Sequence, residues 1–288
     1  MSEKKFEHVL VEKNEEGNYA VISINRPDKL NALTTQTLRE IYEAMEQFEL
    51  ESSVRCIVLR GTKNVTKKPA FSAGADLSAP MGKGLKFNIP VHWTISMQQK
   101  HRYYTLIEQF PKPVIGAVDG FAFGGGCELT LVCDILIATK RSFFGFPEIG
   151  RGILPGNGGT QRMARRIGLN RALNMIFFGE RVPAEKMHEW GHVSYLCDDG
   201  EEFENLIHEK ASWLASNPVG TNYDISAYSY ILPVGISTFV EFIPSKDKYY
   251  WMSDTIPRVL TVKEFKKLIA DKNTITNTYN KVKISVSD

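Results

Sequence analysis

The chain has 288 residues, of which 43% are hydrophobic, so it can bury the core of one large domain or of a domain with an appended region. Its 35 lysines and arginines against 33 aspartates and glutamates give a formal net charge of +2, which excludes a general attraction for nucleic acid or an anionic membrane. We therefore expect a globular protein that holds any anionic ligand through local groups.

Neither a membrane span nor a secretion signal is found in the sequence. The longest apolar run, 129–138, is interrupted by Asp134 and is too short to cross a bilayer. The opening residues MSEKKFEHVL lack the apolar segment of a signal peptide, and the four cysteines show no C-x-x-C spacing. We expect reduced thiols, no membrane partner and a cytoplasmic protein.

The first half of the chain alternates β-rich segments with helical patterns. Strands are predicted at 19–24, 55–61, 112–118 and 134–139. Between the first two strands lies a helix that Thr34 or Thr35 can cap, and its apolar residues recur in steps of three and four. Between the last two strands lies a helix at 126–132. This alternation predicts an α/β protein with right-handed crossovers.

The second half begins with helical patterns and then loses them. Helices are predicted through Arg166, at 171–178, at 184–190 and along a stretch marked by Phe203 and Leu214. From Gly220 onward the periodicity fades, and aromatic residues crowd between Tyr223 and Trp251. We expect this aromatic-rich stretch to pack on the chain's own core or on a neighbouring copy.

A glycine-rich turn, Gly124-Gly125-Gly126, opens the predicted helix at 126–132. Because glycine has no Cβ, a ligand can approach this backbone closely, and the free N–H groups at a helix start attract negative charge. The turn therefore suits an anion, or an oxygen that gains negative charge during a reaction. Close packing of the helix is the other explanation for these glycines.

Two glutamates lie near this turn in the sequence. Glu128 falls on the first turn of the helix, and Glu148 lies in a second turn with apolar residues on both sides. A carboxylate in apolar surroundings loses hydration, so its pKa should rise toward the range of a general acid or base. The pair predicts proton transfer to and from a carbonyl compound. A structural ion pair of Glu148 with Arg151 or Arg162 is the alternative.

Several motifs occur in the chain in one order. They are Asn25-Arg26-Pro27 with Asn31-Ala32-Leu33, FSAGADL at 71–77, GGGCELTLVCD at 124–134, and PEIGRGILPGNGGTQR at 147–162. Together they resemble the crotonase (enoyl-CoA hydratase/isomerase) family, over a stretch from about Phe6 to Pro218. The resemblance implies an α/β fold, with a crotonase-like ββα spiral in residues 1–199. A C-terminal, mainly helical region is expected in 200–288, and it departs from the family pattern after about 219.

The resemblance also implies roles for the matching residues. The backbone N–H groups of Ala75 and Gly125 resemble the family's oxyanion hole, and Glu128 and Glu148 resemble its acid/base pair. The residues that would lie along coenzyme A are Lys29, Leu30, Ala73, Asp76, Leu77 and Gly124. Coenzyme A is part of the substrate, so no separate cofactor and no metal are expected. The partners implied are an acyl-CoA and further copies of the chain, as a homotrimer or a dimer of trimers.

The reaction that these groups suit is reversible hydration of a 2-enoyl-CoA to the 3-hydroxyacyl-CoA, a reaction of fatty acid metabolism. Two N–H donors can polarise the thioester carbonyl toward an enolate, while one glutamate activates water and the other exchanges a proton with Cα. An isomerase needs only one base, so the presence of both glutamates favours hydration. An enoyl-CoA isomerase and a non-catalytic subunit with the same fold are the alternatives.

Residues 188–192 read H-E-W-G-H, which fits the zinc-peptidase pattern H-E-x-x-H. That pattern needs one continuous helix, whereas Gly191 is typical of a helix end, so we expect no zinc site. The basic stretch at 263–272 lacks interleaved aromatic residues, so we expect no nucleic-acid partner. The aromatic and methionine residues from Phe87 to Tyr104 are interpreted as core rather than as part of the site.

Overall fold

A computed structural model of the chain describes residues 5–63, 69–76 and 89–217, and three short segments at 238–241, 248–253 and 257–261. For 89–97 and for the three short segments it describes the backbone alone. Contacts within the chain separate two units, Met1–Ser226 and Ala227–Asp288.

The described part of the first unit alternates strands with helices. Its strands are β1 (Val9–Asn14), β2 (Tyr19–Ile24), β3 (Cys56–Gly61), β4 (Ala70–Ser72), β5 (Val114–Val118), β6 (Phe121–Phe123), β7 (Ile135–Thr139), β8 (Phe143–Gly145), β9 (Arg181–Pro183) and β10 (Tyr195–Cys197). Its helices are α1 (Thr35–Glu46), α2 (Ile89–Glu108), α3 (Gly125–Leu131), α4 (Gly159–Ile167), α5 (Leu169–Phe177), α6 (Ala184–Glu189) and α7 (Glu201–Ser216). Every strand and helix predicted for this part is present, with bounds shifted by at most a few residues. None of the helices described is both long and apolar enough to cross a membrane.

Two sheets build this unit. The larger has the order β1-β2-β3-β5-β7-β10 and is parallel except for the pair β1 and β2. The smaller has the order β4-β6-β8-β9 and is parallel except for the pair β8 and β9. Along the chain, β3–β4–α2, β5–β6–α3 and β7–β8–α4 each add one strand to each sheet and then a helix. This is the ββα spiral that the family resemblance implies.

Both faces of the larger sheet are buried. In β3, Ile57 and Leu59 belong to the core cluster that α1 shares, whereas Cys56 and Val58 belong to the cluster that α7 shares. Strands buried on both faces form continuous apolar runs rather than alternating ones, which explains the sequence of β3.

All four cysteines are free and buried. Cys127 and Cys133 lie in the core cluster on the α1 side of the sheet, and Cys56 and Cys197 lie in the cluster on the α7 side. Burial raises the pKa of each thiol, that of Cys197 to about 11. Each cysteine is therefore a protonated thiol at neutral pH.

Helix α1 begins at a cap that the sequence predicts. The hydroxyl of Thr34 accepts a hydrogen bond from Thr37 N at 3.0 Å, and the hydroxyl of Thr37 accepts one from Thr34 N at 3.3 Å. This reciprocal capping box satisfies two N–H groups at the helix start. Of the two candidates in the sequence, Thr34 is the N-cap and Thr35 is the first helical residue.

The described part of the second unit is a three-stranded antiparallel sheet of β11 (Thr238–Glu241), β12 (Lys248–Ser253) and β13 (Pro257–Thr261). Within the region predicted as mainly helical, α7 is helical and these three segments are not. Their Thr, Phe, Val, Tyr and Trp residues favour strands, and short strands of this kind show no helical period. The predicted domain boundary after residue 199 stays a prediction.

Candidate active site

Two backbone segments meet beyond the ends of β4 and β6. Gly74 follows β4 with φ +90°, and a Cβ on Gly74 would lie 2.5 Å from the carbonyl oxygen of Phe123, so only glycine allows this approach. Gly125 begins α3, and a Cβ on Gly125 would lie 3.7 Å from the backbone N of Ala75. The structure thus brings together Ala75 and Gly125, the two residues predicted to form an oxyanion hole.

The N–H groups of this pair are free of intramolecular acceptors in the described part of the chain. Gly125 is the first residue of α3, where an N–H has no acceptor within the helix. The neighbours of Ala75 bond to Leu33, since Leu33 N donates to Gly74 O at 2.7 Å and Asp76 N donates to Leu33 O at 2.9 Å, but Ala75 N does not. Two such donors beside a helix start suit an oxygen that carries negative charge.

Glu128 lies on α3 close to Gly125 and is only 1% exposed. Its Oε1 accepts hydrogen bonds from Asn157 N at 2.7 Å and Gly159 N at 2.9 Å, and its Oε2 accepts one from Asn157 Nδ2 at 2.8 Å. Burial raises the pKa of Glu128, while these donors and the charge of Arg162 oppose the rise. Glu128 is therefore a buried carboxyl group with donors on both oxygens.

Glu148 lies in the 3-10 turn Pro147–Arg151 after β8 and reaches the glycine-rich turn. A Cβ on Gly124 would lie 2.8 Å from Glu148 Oε1, and Gly124 has φ +52°, so the carboxyl group lies against bare glycine backbone. Among the described residues, the buried Oε2 of Glu148 has no hydrogen-bond partner. Burial, followed by the charge of Glu128, raises the pKa of Glu148 to about 7. The expected rise in pKa therefore affects both glutamates.

Tyr104 on α2 is a residue of this region that the sequence does not single out. Its hydroxyl donates to Gly125 O at 2.7 Å, and the side chain is fully buried. Burial, together with the charges of Glu128 and Glu148, raises the pKa of Tyr104 well above its ordinary value. The interpretation of Tyr104 as core describes its ring but omits its hydroxyl. The available signal was that a buried tyrosine hydroxyl needs a polar partner.

Three of the residues implied along coenzyme A, namely Lys29, Leu30 and Ala73, lie on two neighbouring backbone segments. Ala73 N donates to Leu30 O at 2.9 Å, so these two backbone segments lie side by side. Leu30 has φ +51°, a left-handed conformation that ends the 3-10 turn Pro27–Lys29. Lys29 is exposed at the end of that turn. Their contact with coenzyme A stays a prediction.

Asp76 has a structural partner that the sequence did not indicate. Its Oδ2 accepts a hydrogen bond from Arg26 Nη2 at 2.7 Å, and Arg26 Nη1 donates to Ala32 O at 2.7 Å. This ion pair joins the two motifs that precede the glycine-rich turn. Leu77, the remaining predicted contact, lies outside the described residues.

The alternative in which Glu148 is a structural ion-pair partner is not supported. Arg162 Nε donates to Glu108 Oε1 at 2.9 Å, a second guanidinium nitrogen donates to Glu108 Oε2, and a third donates to Asn157 O at 2.8 Å. Arg151 lowers the pKa of Glu148 only through its charge. Within the described ranges, Glu148 forms no ion pair with either arginine.

The H-E-x-x-H motif does not form a pair of ligands. Helix α6 ends at Glu189, and Gly191 has φ +85°, as expected of a helix end. The Nδ1 of His188 bonds to Val193 O at 2.8 Å, and the Nε2 of the buried His192 bonds to Thr130 Oγ1 at 3.1 Å. The two imidazoles therefore have separate partners. No group of three or more His, Cys, Asp or Glu among the described residues could hold a metal ion.

Comparisons with known proteins identify the family of this chain. The chain matches a family model described as enoyl-CoA hydratase/isomerase over residues 14–221. It is 36% identical over 240 residues to the short-chain-enoyl-CoA hydratase of Clostridium acetobutylicum, which covers 82% of this chain and 86% of that protein. It is 37% identical over 216 residues to the mitochondrial enoyl-CoA hydratase of Pongo abelii, covering 74% of this chain and 69% of that protein.

The fold is similar to solved structures as well. A crystal structure of an enoyl-CoA hydratase from Bacillus anthracis aligns with a TM-score of 0.69 at 31% identity, covering 77% of this chain and 82% of that chain. This likeness confirms the predicted crotonase-like α/β spiral. The matched residues include both glycine segments and both glutamates described above. The chain therefore belongs to the enoyl-CoA hydratase/isomerase family, that is, to the crotonase superfamily.

Proposed function

We propose that this protein is an enoyl-CoA hydratase, which catalyses the reversible hydration of a 2-enoyl-CoA thioester to the 3-hydroxyacyl-CoA. The observation that carries the proposal is the buried carboxyl group of Glu128 and the half-buried one of Glu148, which have unequal partners and lie beside the N–H groups of Ala75 and Gly125. Relatives named enoyl-CoA hydratase at about one-third identity support the same reaction.

In the proposed mechanism, the thioester oxygen accepts hydrogen bonds from the N–H groups of Ala75 and Gly125. Negative charge grows on this oxygen as water adds, so each donor stabilises the transition state more than the bound substrate. A donor of this kind typically contributes about 3 kcal/mol to catalysis. The hydroxyl of Tyr104 helps to fix the backbone of Gly125 through its carbonyl oxygen.

The two glutamates take different roles because their surroundings differ. Glu128, with donors on both oxygens, is held as a carboxylate and accepts a proton from water as the water oxygen bonds to C3. Glu148, whose pKa is raised to about 7, keeps a substantial protonated fraction near neutral pH and gives its proton to C2. The π electrons of the C2–C3 double bond move toward C2, so water is added without a metal or redox cofactor. The reverse reaction exchanges the two roles.

The coenzyme A part of the substrate is proposed to lie along Lys29, Leu30, Ala73, Asp76, Leu77 and Gly124. Support comes from the side-by-side backbones of Leu30 and Ala73, and from the position of Ala73 in the FSAGADL motif, which also contains Ala75. Lys29 is the exposed cation of this set and suits a phosphate oxygen.

The test is direct measurement of turnover with crotonyl-CoA. We expect loss of the conjugated double bond and formation of 3-hydroxybutyryl-CoA. A protein that shifts the double bond of a 3-enoyl-CoA while adding no water to the 2-enoyl-CoA would be an isomerase instead. A protein that binds acyl-CoA without turnover would be the non-catalytic subunit.

We also propose that the protein is a homotrimer or a dimer of trimers and a cytoplasmic enzyme of fatty acid metabolism. Phe177, Phe178 and Leu154 are 62%, 79% and 66% exposed, and such large apolar side chains are typical of a surface that contacts another chain. The four free, buried cysteines agree with a reducing compartment. Light scattering of the full chain would measure the assembly.

A further inference from the structure

Asn157 contacts Glu128 through both its backbone and its side chain. The backbone N donates to Oε1 at 2.7 Å and the side-chain Nδ2 donates to Oε2 at 2.8 Å, so one residue contacts both carboxyl oxygens. Gly159 N is the second donor to Oε1, at 2.9 Å. In the described part of the chain, the amide of Asn157 is the one donor found for Oε2.

The loop that carries Asn157 is itself held in place. Arg162 on α4 donates to Asn157 O at 2.8 Å, and Glu108 on α2 accepts two hydrogen bonds from the same guanidinium. Gly158 has φ +100°, and a Cβ there would overlap Arg162, so the arginine occupies the space that a side chain at 158 would need. These contacts fix the amide of Asn157 relative to Glu128.

We propose that Asn157 is a positioning residue that holds Glu128 as an oriented, ionised carboxylate and so makes Glu128 the base of the pair. This inference rests on the proposed hydratase function and deepens it. The amide has one orientation here, because a carboxylate oxygen only accepts, and reversing the amide would bring two acceptors together. Its Oδ1 is then buried without a partner among the described residues. A donor to the charged form of an acid favours that form.

The charged groups around Glu128 do not by themselves keep Glu128 ionised. Glu148, from the turn after β8, is the second acid of the site, and the charge of Glu128 raises its pKa. Arg162, from α4, favours that charge but is paired with Glu108. Tyr104 from α2 and Cys127 beside Glu128 are neutral, since burial raises the pKa of both. Donors on both oxygens therefore distinguish Glu128 from Glu148, whose Oε2 has no partner among the described residues.

The test compares Asn157→Ala and Asn157→Asp with wild type and with Asn170→Ala, a control at an exposed position on α5. The readouts are the pH dependence of kcat/KM for crotonyl-CoA hydration and thermal unfolding, which confirms that each variant is folded. Should Asn157→Ala not fold, Asn157→Ser takes its place, because a serine hydroxyl is too short to replace the amide.

We expect Asn157→Ala to lower kcat/KM by about 10- to 100-fold, the loss typical of a donor to a charged group. The acidic limb of its profile should move to higher pH, because Glu128 then takes up a proton more readily. Asn157→Asp should be less active than Asn157→Ala, because it places a second carboxyl group against Glu128. Asn170→Ala should match wild type in both readouts.

If Asn157 merely filled space, the activities of the two variants would rank in the opposite order. Asn157→Asp, nearly equal in size to asparagine, would then be more active than Asn157→Ala, and neither would move the acidic limb. That result, with a wild-type protein that hydrates crotonyl-CoA, would overturn the role of Asn157 and leave the hydratase function intact. A folded wild-type protein that adds no water would overturn both.

Discussion

Glu128 and Glu148 are chemically identical side chains whose environments make them different reagents. Donors from Asn157 and Gly159 reach both oxygens of Glu128, while the buried Oε2 of Glu148 has no partner in the described part of the chain. Hydrogen-bond donors favour the charged form of a carboxyl group, and burial favours its neutral form. In the proposed mechanism, this difference makes Glu128 the base and Glu148 the acid of one site.

Replacing either glutamate by glutamine should strongly reduce hydration. Glutamine keeps the size of the side chain but cannot transfer a proton, so Glu128→Gln and Glu148→Gln should each lower kcat by about a hundredfold to ten-thousandfold. Acyl-CoA affinity should remain close to that of wild type. The double variant should be far less impaired than the product of the single effects, because the two groups act on one water and one carbon.

The matched control is Glu185→Gln, at an exposed position in the first turn of α6, which should keep full activity. Steady-state kinetics and a binding titration with a substrate analogue measure the two quantities. If one of the two site variants kept nearly the wild-type kcat, the two-glutamate hydration mechanism would be wrong.

The raised pKa of Glu148 should make stability depend on pH. Its folded-state pKa of about 7 lies above the ordinary value of 4.5, so the folded chain binds more protons than the unfolded chain between these values. The contribution of Glu148 to the free energy of unfolding is therefore fully present below about pH 4.5 and is lost as the pH rises through 7. Glu148→Gln cannot titrate and should lack this dependence. The quantity to plot is the Tm of wild type minus that of the variant from acidic to neutral pH, and a flat line would refute the assignment.

Gly125→Val should obstruct the oxyanion pair. A Cβ at this position would lie 3.0 Å from the Tyr104 hydroxyl and 3.7 Å from Ala75 N, where the thioester oxygen is proposed to bind. Displacing a bound substrate by about 1 Å can cost about a hundredfold in rate. Gly150→Val is the control, since a Cβ at Gly150 meets nothing within 4 Å. Near-normal turnover of a folded Gly125→Val protein would remove Gly125 from the site.

At the scale of single residues, local patterns in the sequence predict some site residues. They miss residues whose contacts join distant parts of the chain. Glu128 and Gly125 lie in one glycine-rich motif, so their proximity follows from the helix that begins there. Tyr104 bonds to Gly125, 21 residues away, and Asn157 bonds to Glu128, 29 residues away. Those contacts depend on how α2 and α4 pack, which periodicity along the chain does not encode.

Among the elements, α1 shows how local chemistry sets a helix start. Thr34 and Thr37 form a reciprocal pair of hydrogen bonds that the order of threonines makes possible.

Lys112 shows the opposite case. It lies at the start of a predicted strand, yet it is fully buried and donates to the carbonyl oxygens of Phe48, Glu51 and Val54. A lysine that satisfies three carbonyl groups inside the protein has no sequence signal, because the carbonyls belong to every residue alike.

Thr34→Ala should weaken α1. Loss of the N-cap hydroxyl removes an acceptor for Thr37 N, and such a substitution typically costs about 1 kcal/mol of the free energy of unfolding. Thr35→Ala is the matched control, because Thr35 is the first helical residue and does not cap the helix. Urea unfolding of the two variants measures the difference, and equal stability would contradict the capping role.

In the whole molecule, four of the six strands of the larger sheet (β2, β3, β5 and β7) were predicted from the sequence, whereas β1, β10 and the strands of the smaller sheet were not. The residues Cys56 to Leu59 of β3 and the whole of β5 are runs without a polar residue, which the sequence pattern identifies. The strands β4, β6 and β8 contain only three residues each, too few to show a period of two. Their presence follows from the spiral, since each turn of the chain must pass the second sheet before its helix.

Removal of the chain after Pro218 should disturb the assembly. The aromatic-rich stretch between Tyr223 and Trp251 is costly to leave in water. We expect the truncated protein to aggregate or to dissociate in light scattering. A soluble truncated protein with the full-length assembly and full activity would disprove this expectation.

Two cysteines lie on each side of the larger sheet, so the reactivity of their thiols can report on each side separately. A thiol reagent reacts with the thiolate of an accessible cysteine, so the native protein should react slowly at all four positions. Reaction at Cys127 or Cys133 would measure how often the α1 side opens, and reaction at Cys56 or Cys197 would measure how often α7 lifts from its side. Labelling followed by mass spectrometry would therefore measure the opening of each side of the sheet separately. The experiment needs no engineered cysteine.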